Sequence, residues 1–236
     1  MVEHGYKVEL HVHTRFSHDS ILPLWLLYLM CRLRKIDCIA ITDHNEIKGA
    51  LLFQQRYPKI KVIVGEEIFS SEGEIIGLFL HERVESNMTA RETIEKIFEQ
   101  DGLVYIPHPV DTKRYKTVLQ YRALISNLDK IHCIEKFNGR TVLKKDVNQQ
   151  SKIASATKLP SCVGGDAHTF YEIGRNYNIF KNPVNTQQDF LSQLPQANYQ
   201  TSDCLPIAHQ STKFARAIKL IRAGKIRKVM QKIFKQ

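Results

Sequence analysis

The 236-residue chain predicts an α/β barrel with a reactive end. Three observations carry this expectation. Seven apolar or alternating segments of strand length are separated by helical or looped excursions, the pattern of βαβ units and a parallel sheet. Seven such units in roughly 180 residues suit a small barrel better than an open sheet. Histidines and carboxylates recur directly after these segments, at the end where parallel barrels place their active sites.

The first strand, residues 7–12, alternates polar and apolar, with Val8, Leu10 and Val12 on one face and Glu9, His11 and His13 on the other. Residues 23–35 read as a helix: Leu24, Leu27 and Met30 or Cys31 recur at helical spacing, Pro23 suits a first turn, and basic residues enrich the last. Residues 37–42 form a continuous apolar run of the kind buried on both faces. A short helix over 46–56 leads through Pro58 to a third strand at 60–64, and a turn at Ser71-Glu72-Gly73 to a fourth at 74–80. Thr89 and Glu92 make a capping box for a helix that turns Ile94, Ile97 and Phe98 inward and closes at Asp101-Gly102. Strands at 103–106, 131–135 and 160–164 alternate with helices at 115–128 and 141–157. Beyond Phe180 the pattern weakens to a helix at 187–194 and a loop at 197–210.

Composition is that of an ordinary soluble domain, 43% hydrophobic and 25% charged. Neither a secretory leader nor a membrane span is expected. His11 and His13 interrupt the early apolar run, and residues 21–30 contain Pro23 and fall well short of the roughly 20 residues a span requires. Five cysteines without a C-x-x-C pair indicate a reducing compartment, with Cys38, Cys133 and Cys162 as small core residues, hence a cytoplasmic protein. Nine of the 34 basic residues lie in 213–236, a stretch without an acid, which leaves 25 basic against 24 acidic groups before it. The body, residues 1–212, is no general polyanion binder, and the basic charge belongs to the tail.

The groups able to bind metal follow the strands in order: His11 and His13, Asp43-His44, Glu66-Glu67, His108, Glu135 with Asn138, and Asp166 with His168. Each alone has a plain structural reading, as a turn, a helix cap or a solvated loop. Their recurrence at one end of successive strands is what makes a shared site the better reading. Imidazoles mixed with carboxylates suit zinc, manganese or iron rather than calcium or magnesium.

The strings His11-Val12-His13-Thr14, Ile41-Thr42-Asp43-His44-Asn45, Val64-Gly65-Glu66-Glu67, Ile106-Pro107-His108-Pro109 and Gly165-Asp166-Ala167-His168 resemble the PHP (polymerase and histidinol phosphatase) family over about residues 7–180. The resemblance implies a distorted (β/α)7 TIM-like barrel that holds two or three divalent ions and hydrolyses phosphoesters with a metal-activated hydroxide. It implies His11, His13, Glu67 and Asp166 as ligands of a first metal, Glu67 and His108 of a second, and Asp19, His44 and His168 of a third. Asp166, His168 and His44 are then the catalytic candidates. His18 stands as the alternative to Asp19, and Glu66 reads as structural. The family often supplies a histidine in the fourth strand, where this chain reads Glu74-Ile75-Ile76-Gly77-Leu78, leaving extra water or His81 to complete the second site.

Arg15, Arg140 and Arg175 lie near the motifs and are candidates to clamp a substrate phosphate, with surface arginine as the plain reading. Expected substrates are a phosphorylated small molecule or a nucleotide. Two other classes remain open: a C–N bond hydrolase of the amidohydrolase type, and a non-catalytic metal-binding regulatory module. Residues 213–236 read as a basic amphipathic helix pair split by Gly224. That tail could anchor the protein peripherally on an anionic membrane surface, contact nucleic acid, or dock on the barrel with its lysines solvated.

Overall fold

Seven strands close on themselves, and residues 5–225 are those that the computed structural model describes. β1 (Tyr6–Val12), β2 (Cys38–Ile41), β3 (Lys61–Ser70), β4 (Gly73–Leu78), β5 (Leu103–Ile106), β6 (Cys133–Asn138) and β7 (Ser161–Ala167) pair in sequence order, and β7 pairs back onto β1. The expected α/β barrel is present, with one correction to its parallel sheet. β4 runs antiparallel to both β3 and β5. β3 continues to Ser70, and the two residues before Gly73 leave no room for the crossover that a parallel return requires. Gly73 turns the chain at φ +127°, where a side chain would strike the backbone of Val118 and Leu119.

Helices α1 (Leu24–Arg34), α2 (Lys48–Arg56), α3 (Ala90–Phe98), α4 (Tyr121–Ser126) and α5 (Lys144–Thr157) follow β1, β2, β4, β5 and β6. An outer core joins helix faces such as Leu27, Phe53 and Ile94 to outward strand residues such as Ile39, Ile41 and Val104. Inside the barrel, Val8, Leu10, Ala40, Ile76 and Tyr105 pack with Cys38, Cys133 and Cys162. Phe180, Val184, Phe190 and Leu194 belong to that inner cluster, the last two contributed by α6 (Gln187–Gln193) and the turn after it. All five cysteines are free.

Several elements differ from expectation for identifiable reasons. The helix expected over 115–128 is shortened to α4. Before it the backbone pairs with the β3–β4 hairpin: Glu74 N–H donates to the Thr117 carbonyl at 2.7 Å and Gln120 N–H to the Glu72 carbonyl at 2.8 Å. Phe98, expected inward, is 37% exposed, whereas Ile94 and Ile97 are buried. β8 (Tyr177–Phe180) and β9 (Asn198–Gln200), which periodicity did not reveal, extend the sheet antiparallel from β1. A helix α7 (Ala208–Arg222) runs through the boundary expected at 212, so the first half of the basic tail is continuous with the body. The remainder of the tail, residues 226–236, lies outside the described residues. No helix among those described is long and apolar enough to cross a membrane.

Candidate metal centre at the barrel mouth

The site begins with an irregularity in β1. Strict alternation would place His11 beside Glu9 on the outer face. Instead the register shifts between Glu9 and Val12, and His11 takes φ +68°. That bulge sends Val12 into the outer core, while the His11 and His13 imidazoles meet the same carboxylates. Glu9 stays away, accepting from Gly174 N–H at 2.8 Å, and burial raises its pKa to about 8. His108 (φ +25°) and Asp166 (φ +50°) also have left-handed backbone, unusual for non-glycine residues.

Glu67 is the meeting point. Its Oε1 lies 3.2 Å from His11 Nε2 and 3.1 Å from His108 Nε2. Its Oε2 lies 3.2 Å from both His13 Nε2 and His44 Nδ1. Asp166 Oδ1 faces both histidines of the first motif, at 3.7 Å from His11 and 3.6 Å from His13. On the other side, Asp19 lies 3.3 Å from His168 Nε2 and 3.5 Å from His44 Nε2. Thus all eight ligands expected from sequence, His11, His13, Asp19, His44, Glu67, His108, Asp166 and His168, converge on one place. Asp19 is buried, whereas the alternative His18 is half-exposed.

The candidate ligand that periodicity missed is Glu74. Because β4 is antiparallel, its first residues lie beside the end of β3, at the mouth of the barrel. Glu74 approaches His108 Nε2 to 3.3 Å and His44 Nδ1 to 3.8 Å, and with His44 and Glu67 it forms a further group of potential ligand atoms. His81, the substitute considered from sequence, sits beyond the other end of β4 and is exposed.

Whether these residues fit a metal is decided by their unsatisfied atoms. His11 Nε2, His13 Nε2 and His44 Nδ1 are buried without a hydrogen-bond partner, and all three point at Glu67. Buried lone pairs facing a buried carboxylate are costly unless a cation lies between them. The donor set and its closeness, with ligand atoms within 4.8 Å of one another in each group, match a divalent transition metal. Surrounding groups fix the ligands. Glu135 accepts from His11 Nδ1 at 2.8 Å, His108 N–H at 2.6 Å, Asn138 Nδ2 at 2.8 Å and the Tyr105 hydroxyl, which leaves His11 Nε2 free to coordinate. Asp43 holds the loop carrying Asp19 by accepting from Thr14 N–H at 2.5 Å and Ser17 N–H at 3.2 Å.

Electrostatics follows from this packing. Burial works against an imidazolium at His44, but Glu67, Asp19 and Glu74 outweigh it and lift its pKa to about 9. At His108 burial and Arg114 oppose the charge, yet Glu67 and Glu74 carry the pKa to about 10. Burial, and then Arg140, push His168 down to about 3, so its imidazole is neutral. Glu67 is held well below the carboxylate range, against burial, by His11 and His44.

The arginines are distributed differently from expectation. Arg15 is exposed on the loop after β1, and Arg175 reaches only the Asp203 carbonyl at 3.3 Å. Arg140 is 2% exposed and pairs with Glu172 at 3.1 Å, so its charge serves the framework. Sequence reasoning missed Arg114, which donates to Asp166 Oδ2 at 2.5 Å, Asp111 Oδ2 at 2.9 Å and Asn138 Oδ1 at 3.0 Å. Its fork is spent on three partners, of which Asp166 is one. The sequence signal available was the Asp111-x-x-Arg114 spacing in the loop after His108, which a helix expected from 115 obscured.

The PHP domain profile matches residues 9–194. The chain belongs to the PHP family. An uncharacterized protein of Methanocaldococcus jannaschii is 33% identical over 196 residues, covering 80% of this chain and 78% of its own. Among solved structures, a two-domain protein from Bacteroides vulgatus containing a predicted PHP-like metal-dependent phosphoesterase superposes with TM-score 0.64 at 17% identity, over 83% of this chain and 64% of that one. PsfC from Pseudomonas syringae also gives 0.64, at 16% identity, over 91% and 97%. At these identities the solved structures speak to the fold, the distorted barrel of PHP proteins.

One glycine in this PHP barrel is under direct pressure from the site. A Cβ on Gly164 would lie 1.8 Å from Glu135 Oε1 and 2.9 Å from the Tyr105 hydroxyl. Gly164→Ala should therefore push Glu135 off His11, costing about 1–3 kcal/mol of stability and roughly 10–100-fold in metal affinity. Urea denaturation and metal titration read the two effects. An unchanged midpoint with unchanged metal binding would show that Glu135 does not fix His11.

Proposed function

We propose that this PHP protein is a metal-dependent phosphoesterase acting on a phosphorylated small molecule or a nucleotide. The observation that carries the reading is Glu67 at the junction of four imidazoles, three of them with unsatisfied nitrogens aimed at it. His11, His13, Glu67 and Asp166 would hold one divalent ion (zinc, manganese or iron). His108, Glu67 and Glu74 would hold a second, and Asp19, His44 and His168 a third. Bound ions of this kind lower the pKa of a coordinated water toward neutrality and offset charge on phosphoryl oxygens. The chain's own groups do the rest. Arg114 holds Asp166, Glu135 fixes the His11 ring, and the Asp166 carbonyl accepts from His168 Nδ1 at 2.9 Å, so that Nε2 faces Asp19. A cavity of about 520 Å³ opens above the ligands, with Lys113, Lys116, Lys213 and Arg216 in its rim, a cationic entrance suited to an anionic ester.

Elemental analysis of the purified protein, with hydrolysis of p-nitrophenyl phosphate in added manganese or zinc, tests the reading. Two or more metals per chain, and hydrolysis abolished in His11→Ala and Asp166→Ala, are expected. Metal without hydrolysis would favour C–N bond hydrolysis or a non-catalytic metal-binding module. A chain that takes up no metal on reconstitution would end the proposal.

A further inference from the structure

α7 brings two of the cations that line the cleft, Lys213 and Arg216, and the loop after β5 brings Lys113, Arg114 and Lys116. Arg216 projects from this helix, lines the cleft and donates from Nη2 to Asp19 Oδ2 at 2.9 Å, with its side chain still 45% exposed. Unlike Arg114, it has Asp19 as its one side-chain partner among the described residues, and it lines the cavity. Lys213, one turn earlier, lines the same cleft and has no carboxylate partner among the described residues. The helix is fixed at both ends. Lys219 Nζ donates to the Arg15 carbonyl at 2.7 Å and to that of Ser17, on the loop that carries Asp19. His209 Nε2 bonds the Arg140 carbonyl at 2.9 Å, while the Arg140 guanidinium reaches back to the Ala208 carbonyl. A basic helix held this way is part of the site wall.

We propose that Arg216 is the anion-binding residue of this site, assisted by Lys213. Asp19 holds one side of the guanidinium, and the other side receives an oxygen of the substrate's phosphoryl group. The proposal rests on the phosphoesterase reading for the chemical class of the anion. It also reassigns part of the basic tail from a solvated or lipid-facing segment to the active site.

The test uses the full, metal-loaded chain and inorganic phosphate as probe, with binding read by calorimetry and metal content by elemental analysis. Arg216→Met should weaken phosphate binding about tenfold or more, since a charge-assisted contact is lost. Arg216→Lys should cost less, about threefold to fivefold, because the charge remains without the fork. Lys213→Met should cost about threefold, as a single charge near the cleft. Metal content should not change in any of them. Phe214→Ala, 63% exposed on the same helix, should stay within twofold and shows that a change to α7 is tolerated. Phosphate binding within twofold of wild type in Arg216→Met would overturn the proposal. So would loss of one metal per chain in that variant, which would make Arg216 a support for Asp19 rather than a substrate contact. Because binding is read without turnover, the two readings fail separately. Phosphate bound by wild type and lost in Arg216→Met, without ester hydrolysis, supports the Arg216 assignment and sinks the phosphoesterase. Hydrolysis with unaltered phosphate binding in Arg216→Met does the reverse.

Discussion

Glu67→Gln should leave a folded barrel that has lost its metal and at least on the order of 10²–10³-fold of its hydrolytic rate. The substitution keeps volume and shape, so packing against β4 is preserved. It removes the one negative charge shared by His11, His13, His44 and His108, whose nitrogens lie 3.1–3.2 Å from its two oxygens. An amide places an NH2 group against two of those nitrogens and cannot bridge cations. Elemental analysis and p-nitrophenyl phosphate hydrolysis read the loss, and far-ultraviolet circular dichroism confirms the fold. Retained metal with activity within tenfold of wild type would show that Glu67 is not the junction of the site.

Metal removal and pH should oppose each other in a way only this cluster explains. In the metal-free chain, protons on His44 and His108 take the cation's place. Their folded pKa values, about 9 and about 10, lie above the ordinary 6.5. Raised values of this kind stabilise fully below about pH 6.5, and the contribution disappears as pH climbs through 9 to 10. Metal needs the same nitrogens unprotonated, so its binding strengthens over that range. Thermal melts of stripped protein should therefore decline from pH 6.5 to 10, while the gain on adding manganese or zinc should grow. At a thousandfold excess over its dissociation constant each ion contributes about 4 kcal/mol, roughly 8–16 °C in a domain of this size. A metal-induced shift independent of pH would mean that His44 and His108 are not among the groups the metal displaces.

Much of this was legible one segment at a time. Apolar runs such as Cys38–Ile41 and Leu103–Ile106 mark strands because both faces are covered, and Thr89 with Glu92 marks the start of α3 because the capping box is a local hydrogen-bond pattern. The ligand candidates were visible because each directly follows a strand segment, and a barrel gathers strand ends. What was not legible depended on the partner a segment meets. Glu74 reads as an ordinary strand residue until β4 is seen to run antiparallel, which brings its start to the mouth of the barrel. Arg114 and Arg216 sit in stretches whose local patterns announce a helix or a basic tail, and their partners Asp166 and Asp19 are far away in the chain.

The sequence by itself determined the alternation of strands and helices, the strand ends that carry histidine and carboxylate, and the family, because these are set by residue type and spacing over a few positions. The tertiary structure decided the inward turn of His11, the entry of Glu74, the pairing of Arg140 with Glu172, and the place of α7 over the cleft. Those depend on strand direction, on a backbone bulge at φ +68°, and on ion pairs between distant segments. Such pairings are settled by which groups can be buried together, and local pattern carries no information about that.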